Sequence, residues 1–194
     1  MLDPSTRSSI RGATQLLLGR REALSEFDLS VDGFWRSFRA MLLALPFAAI
    51  NAAVQHGMLL ADSIVDNGSD AAFIAAQLTD YVVDWVAMPA LLALFASQLG
   101  ITRGYVAYIV VCNWARLVLS VPLAAIALLL GFGFLAIEMA QLLLLAILGV
   151  GIFYNYRIIR WTLGKGAGFA AALIAADLVL SIVLSQVIDR LFGL

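Results

Sequence analysis

Cysteine, histidine and lysine are nearly missing from this chain, and charge of either sign is scarce. Cys112 is the one cysteine in 194 residues. Without a second thiol, an intramolecular disulfide and any cysteine-built zinc or iron–sulfur centre are excluded. The lone thiol lies inside an apolar run and reads as a small buried hydrophobe. His56 is the one histidine, so a multi-histidine metal site within one chain is excluded too. Lys165 is the one lysine, and no basic stripe interleaves with aromatics, which excludes nucleic acid as a partner. No cofactor is implied. Only 13% of residues are charged and 63% are hydrophobic, with mean hydropathy +0.98. A water-soluble domain carries about 25% charged residues. Such a chain cannot cover itself with groups that water accepts, so its solvent is the lipid bilayer, and its length allows one domain.

Five long apolar segments fill most of the chain, at 38–60, 71–96, 105–130, 134–156 and 168–191. At 1.5 Å per residue each crosses a hydrocarbon layer of roughly 30 Å. The expected fold is all-α, an integral membrane bundle of five transmembrane helices over 33–194, preceded by a polar cytoplasmic segment over 1–32. That segment is not a cleavable signal peptide, because its only apolar core is Leu16, Leu17 and Leu18. Ile10, Leu17 and Leu24 recur every seven residues and fit a short amphipathic interfacial helix, with arginines near anionic headgroups. A poorly ordered tail is the alternative. Asp32 reads as the cap of the next helix. Trp35, Arg36, Arg39 and Trp161 read as membrane-interface anchors.

Arginine is sorted by loop. Arg7, Arg11, Arg20, Arg21, Arg36 and Arg39 precede the first span or sit at its start, Arg103 follows the second, and Arg157, Arg160 and Lys165 follow the fourth. The first loop carries Asp62, Asp66 and Asp70 and no base, the Gly131-Phe132-Gly133 turn carries none, and the C-terminal end carries only Arg190. Ten of twelve basic residues thus fall on one side. The positive-inside rule then predicts N-in, C-out. An arginine-rich start without a targeting peptide suits a bacterial inner membrane.

Pro46, Pro89 and Pro122 sit inside the first three spans. Each removes a backbone hydrogen bond, freeing the carbonyls of Leu42, Trp85 and Val118. The kinks are either hinges or ordinary features of membrane helices. Ala48 with Ala52, Ala136 with Ala140, and Ala171-Ala172 with Ala175-Ala176 make small-residue faces for close helix approach, within one chain or in a homodimer. Gly164-Lys165-Gly166-Ala167-Gly168 is not a phosphate loop, since no Ser or Thr follows the lysine and no strand precedes it.

Ionisable residues within spans are costly, so each is a candidate site. Projected at 100° per residue, Gln77, Asp80 and Asp84 share a face of the second span, and Asn113, Arg116 and Ser120 share one of the third. Glu138 and Gln141 pair on the fourth, and Asp177, Ser181 and Ser185 on the fifth. Asn51 and Gln55 are neighbours on the first, with His56 pointing elsewhere. The simplest packing turns all five stripes inward. Arg116 should lie near the midplane and pair with Asp84 first, then Asp177. In one reading this intramembrane cluster of Asp80, Asp84, Asn113, Arg116, Glu138 and Asp177 holds a buried ion pair that fixes helix register. In the other, the surplus acids make a proton or cation path. The i, i+4 spacing of Asp80 and Asp84 resembles an aspartyl dyad in composition only, and no loop motif of an intramembrane protease is present.

Leu18-Gly19-Arg20-Arg21-Glu22, Phe27-Asp28-Leu29-Ser30 and Gly33-Phe34-Trp35-Arg36-Ser37-Phe38 lead into a first span with mid-span Pro46, and Tyr154-Asn155-Tyr156-Arg157 leads into Thr162-Leu163-Gly164. In this layout the chain resembles bacterial members of the Yip1-domain family of five-span membrane proteins. The resemblance covers most of the chain but rests mainly on pattern and hydropathy. Asp84, Arg116 and the acidic first loop map onto no family motif. It implies an integral membrane scaffold rather than an enzyme. Eukaryotic relatives bind prenylated GTPases and shape membranes. The expected function is therefore a non-enzymatic membrane scaffold or interaction protein with a homodimeric or membrane-protein partner. The alternative is a small transporter or channel-like subunit using Asp80, Asp84, Glu138 and Asp177. A water-filled cavity reaching Asp84 would favour the second, and a dry, fully paired core the first.

Overall fold

A computed structural model describes residues 3–61 and 70–194. The acidic loop bearing Asp62 and Asp66 lies outside the described residues. Among the described residues the secondary structure is helical throughout, with no strand. Seven α-helices run in the order α1 (Pro4–Leu17), α2 (Val31–Ser37), α3 (Arg39–Ala61), α4 (Asp70–Phe95), α5 (Tyr105–Gly131), α6 (Ile137–Thr162) and α7 (Ala167–Phe192), with a 3-10 turn at Arg21–Glu26. Five segments are long and apolar enough to cross a membrane: Val31–Leu60, Asp70–Phe95, Tyr105–Gly131, Ile137–Thr162 and Ala167–Phe192. The chain is a multi-pass membrane protein by length and composition.

Helix α6 starts later and ends later than its hydropathy suggests. Phe134–Ala136 belong to the turn, whereas Arg157, Arg160 and Trp161 stay helical beyond the apolar stretch. Hydropathy marks where lipid ends, and the helix continues because its last turn packs against protein. Helix α5 is the hub of the bundle. It packs against α1, α2, α3, α4 and α6, while α7 packs against α4 and α6. Large apolar residues on the outer faces of α3, α4, α6 and α7 remain exposed, as lipid-facing side chains would.

The N-terminal segment is ordered by capping and by docking. Asp3 accepts a hydrogen bond from Ser5 N at 2.7 Å, and Pro4 occupies the first helical position, where no N–H is needed. Gly19 ends α1 in the left-handed region at φ 90°, and Arg20 N closes back on Gln15 O at 3.0 Å. The buried face of α1 is Thr6, Ser9, Gly12, Ala13 and Leu16. Ile10 and Leu17, two positions of the seven-residue repeat, are only half-buried against the core. Tyr154 of α6 donates to the Ala13 carbonyl at 2.6 Å, and Arg157 reaches the Leu17 carbonyl at 3.4 Å. Glu26 accepts from Arg11 at 2.6 Å and Ser8 at 2.7 Å, which together hold its carboxyl below the usual carboxylate range.

Helix α2 is capped differently from expectation. Ser30, not Asp32, accepts the Gly33 N–H, at 3.0 Å, and Asp32 sits in the first turn. Asp28 takes the Ser30 hydroxyl at 2.6 Å and Arg36 at 2.9 Å, and these contacts lower its carboxyl, Ser30 first. Arg39 likewise pairs with Asp3 at 3.1 Å. Of the four expected interface anchors, Arg36 and Arg39 therefore hold N-terminal acids, Trp35 is 68% exposed, and Trp161 lies 5.9 Å from the Arg157 guanidinium.

A Cβ at Gly12 would stand 2.8 Å from Glu26 Cβ and 2.9 Å from the Phe27 ring. Gly12→Val should undock the 3-10 turn from α1, costing about 1–3 kcal/mol by overpacking. Hydrogen exchange over residues 4–27 should rise, while Gly149→Val, where a Cβ meets nothing within 4 Å, leaves it unchanged. Equal exchange in both variants would mean that the two segments do not pack.

Candidate functional site

The site is built from three helices at one depth. Asp84 lies eleven residues before Phe95, Arg116 eleven after Tyr105 and Asp177 ten after Ala167. At 1.5 Å per residue each is about 15–17 Å from the same end of the bundle. The helices alternate in direction, so these three positions meet. Arg116 reaches the Asp84 carbonyl with a hydrogen bond of 2.9 Å. Its guanidinium nitrogens stand 3.6 Å from the Asp84 carboxylate and 3.8 Å from that of Asp177. Both separations are ion-pair contacts, too long for hydrogen bonds. Ser181 donates to Asp84 at 2.9 Å, and the Trp85 ring lies 5.7 Å from the guanidinium carbon. Two carboxylates thus share one cation, with Asp84 42% and Asp177 24% exposed in their side chains.

A polar seam continues from this cluster between α4 and α7. Asp80 follows Asp84 one turn away and faces Ser185, with Asp189 beyond it. The seam therefore runs from mid-depth to the end of the bundle opposite the N-terminal segment. On the other side of Arg116 the core is mainly apolar, with Tyr108, Cys112, Asn113 and Asn155 as the polar groups within it. Ile101, Ile109, Ile158, Ile159, Leu16 and Tyr154 are all fully buried there.

The other sequence candidates fall elsewhere. Asn113 is buried and donates to Ser37 Oγ at 2.9 Å, tying α5 to α2 rather than joining the acids. Glu138 is exposed in the first turn of α6. It is outside the cluster because it lies at the far end of α6 from the depth of Arg116, and a carboxylate at a helix N-terminus is favoured by the backbone dipole. Gln141 is exposed as well. Asn51 donates to Phe47 O in its own helix at 2.8 Å, Gln77 pairs with Gln55 at 3.2 Å, and His56 pairs with Asp70 at 3.3 Å while stacking on Phe73. The five polar stripes therefore do not all turn inward; those of α4, α5 and α7 meet. The alanines 171, 172, 175 and 176 face outward, leaving their small-residue face unused within the chain.

Each mid-span proline has a side-chain donor one residue away from the expected carbonyl. Tyr81 donates to Met41 O, Arg116 to Asp84 O and Ser120 to Leu117 O, each acceptor lying five residues before Pro46, Pro89 or Pro122. Among the described residues no side chain reaches Leu42 O, Trp85 O or Val118 O. The ring pushes against the carbonyl four residues back and opens that turn. The next carbonyl, with a second lone pair, is the one accessible from outside the helix. Arg116 therefore serves both the acids and the α4 kink.

Sequence reasoning missed Tyr108 and Asn155. Asn155 Oδ1 faces the Tyr108 hydroxyl at 3.5 Å and the Cys112 thiol at 4.0 Å, beside Arg116. An asparagine just inside the end of the 134–156 apolar run was the available signal. Among the described residues no group of three or more His, Cys, Asp or Glu is placed to hold a metal ion. Searches of protein families, of curated proteins and of solved structures find no match to this chain.

Arg116→Leu strands two carboxylates and should lower folded yield in detergent, by on the order of 3 kcal/mol in stability. Adding Asp84→Leu should recover part of the loss, and adding Asp177→Leu most of the rest. Thermal unfolding of the purified variants checks this, and identical curves for the double and triple variants would remove Asp177 from the cluster.

Proposed function

We propose that this protein is a non-enzymatic integral membrane scaffold, with the Arg116 cluster locking the register of α4, α5 and α7. The fully buried apolar packing of Leu16, Ile101, Val111 and Ile159 toward the N-terminal segment carries this reading. The α4–α7 seam does not continue to that end of the bundle, where these side chains are packed without exposed surface. The acids are also largely answered by protein groups: Asp84 by Arg116 and Ser181, Asp177 by Arg116.

In this reading the α4–α7 seam and the outward alanines of α7 meet a second copy or another membrane protein. Half-exposed carboxylates against lipid carry a cost that such a partner removes. The N-terminal segment lies on the cytoplasmic side of a bacterial inner membrane, with its exposed arginines and Trp35 toward the headgroups, as the sorting of arginine supports. The five-span plan shared with Yip1-domain proteins supports the same role without supplying a functional residue.

One observation favours the transport alternative: Asp84 and Asp177 both face the single mid-depth cation Arg116, and Asp80 extends the acids one turn further along α4. Liposomes decide between the two. Protein reconstituted with an internal pH dye and exposed to a pH or sodium gradient should give no flux above that of empty liposomes. Flux that Asp84→Asn abolishes would establish conduction and overturn the scaffold reading. Orientation is checked in a Cys112→Ala background. Asp66→Cys should react with an impermeant thiol reagent in intact cells and Lys165→Cys should not; reversed labelling would invert the topology.

A further inference from the structure

A cavity of about 420 Å³ lies at mid-depth among α4, α5, α6 and α7. Most of its wall is aliphatic. Leu144, Leu148, Ile152 and Leu178 line it and are themselves exposed on the outside of the bundle, so the cavity opens sideways toward lipid. Its inner end is polar, formed by Arg116, Asp177, Asn155, Tyr108 and Cys112. That volume falls in the range of small-molecule sites, which pair apolar walls with a few polar groups that fix orientation.

The donors at the inner end are not used up by the protein. Arg116 has five N–H groups and, among the described residues, makes one hydrogen bond, to Asp84 O. Asn155 engages its Oδ1 with Tyr108 and Cys112, and among the described residues its amide nitrogen meets no partner. A ligand here is therefore asked for an acceptor oxygen. Charge narrows the class. A carboxylate or phosphate would face Asp177, and a cation would face the guanidinium and the amide. Depth narrows it further. A glycerolipid head is held at the interface by its hydroxyls, whereas a ring ketone is lipophilic enough to lie at mid-bilayer. Gly151 makes the room: a Cβ there would first touch Leu119, at 3.6 Å.

We propose that this cavity binds a neutral lipophilic ring carbonyl of the quinone class, its oxygen held by Asn155 and Arg116 and its tail leaving between α6 and α7. Binding at this site goes beyond a scaffold role and does not depend on it.

The test uses the full chain in nanodiscs with a short-tailed azidoquinone as photolabel and peptide mapping as readout. Label is expected on the α5, α6 and α7 segments around the cavity, competed by excess decylubiquinone but not by monoolein. Gly151→Phe should abolish it, and Gly149→Phe on the open side should leave it intact. Asn155→Leu should weaken competition about tenfold, as expected for one lost hydrogen bond. If Gly151→Phe does not fold, Asn155→Leu alone decides, and unchanged labelling there overturns the proposal. Equal competition by monoolein would assign the cavity to an ester lipid instead. Label spread over all outward faces and insensitive to competitor would show bilayer partition only.

Discussion

A guanidinium at mid-depth in an apolar bundle sets the terms for everything near it. Arg116 lies about 17 Å inside α5, where an unmet charge is costly, so its charge has to be met by groups brought to it. Asp84 and Asp177 arrive from helices on either side, each at the same distance from the same end. Their arrival places α4 against α7, with Ser181 closing on Asp84. One cation shared by two acids ties three helices, and removing it leaves both acids without their counter-charge.

The prolines belong to the same economy of polar groups. In lipid a loosened backbone carbonyl has no water to turn to. Each opened turn here has a donor from a side chain: Tyr81 from the neighbouring helix, Arg116 across the cluster and Ser120 within its own helix. Helix packing and kink satisfaction are thus one arrangement. Tyr81 joins α4 to α3 by the bond that fills the α3 kink.

At the other end, the N-terminal segment behaves as part of the bundle. Ala13 and Leu16 are fully buried, and the Tyr154 hydroxyl is spent on an α1 carbonyl. Gly12 is needed for the contact with Phe27, and Gly19 for the left-handed turn that ends α1 beside Arg157. This packing closes the core on one side of Arg116, while the opposite side stays polar and half-open. The asymmetry underlies the choice of a scaffold over a path, and the sideways cavity beside Asn155 is where the closed and open halves meet.

Composition and hydropathy alone determined that the chain is helical, multi-pass and built on five apolar helices, because lipid forces every backbone group into internal hydrogen bonds. They also marked Arg116, Asp84 and Asp177 as polar residues at similar depth, since depth follows from counting along a helix. Which stripes meet was decided only in three dimensions. Helical projection gives a direction for each side chain relative to its own axis, but not the rotation of that helix against its neighbours. So Glu138 faces outward, Asn113 turns to Ser37 and Asn155 meets Tyr108 on the wall of the cavity that Arg116 lines, and none of this is carried by periodicity. Likewise, the seven-residue repeat pointed to Ile10 and Leu17, but the burial of Thr6, Ser9 and Gly12 depended on the shape of the surface they meet, where small residues allow the closest approach.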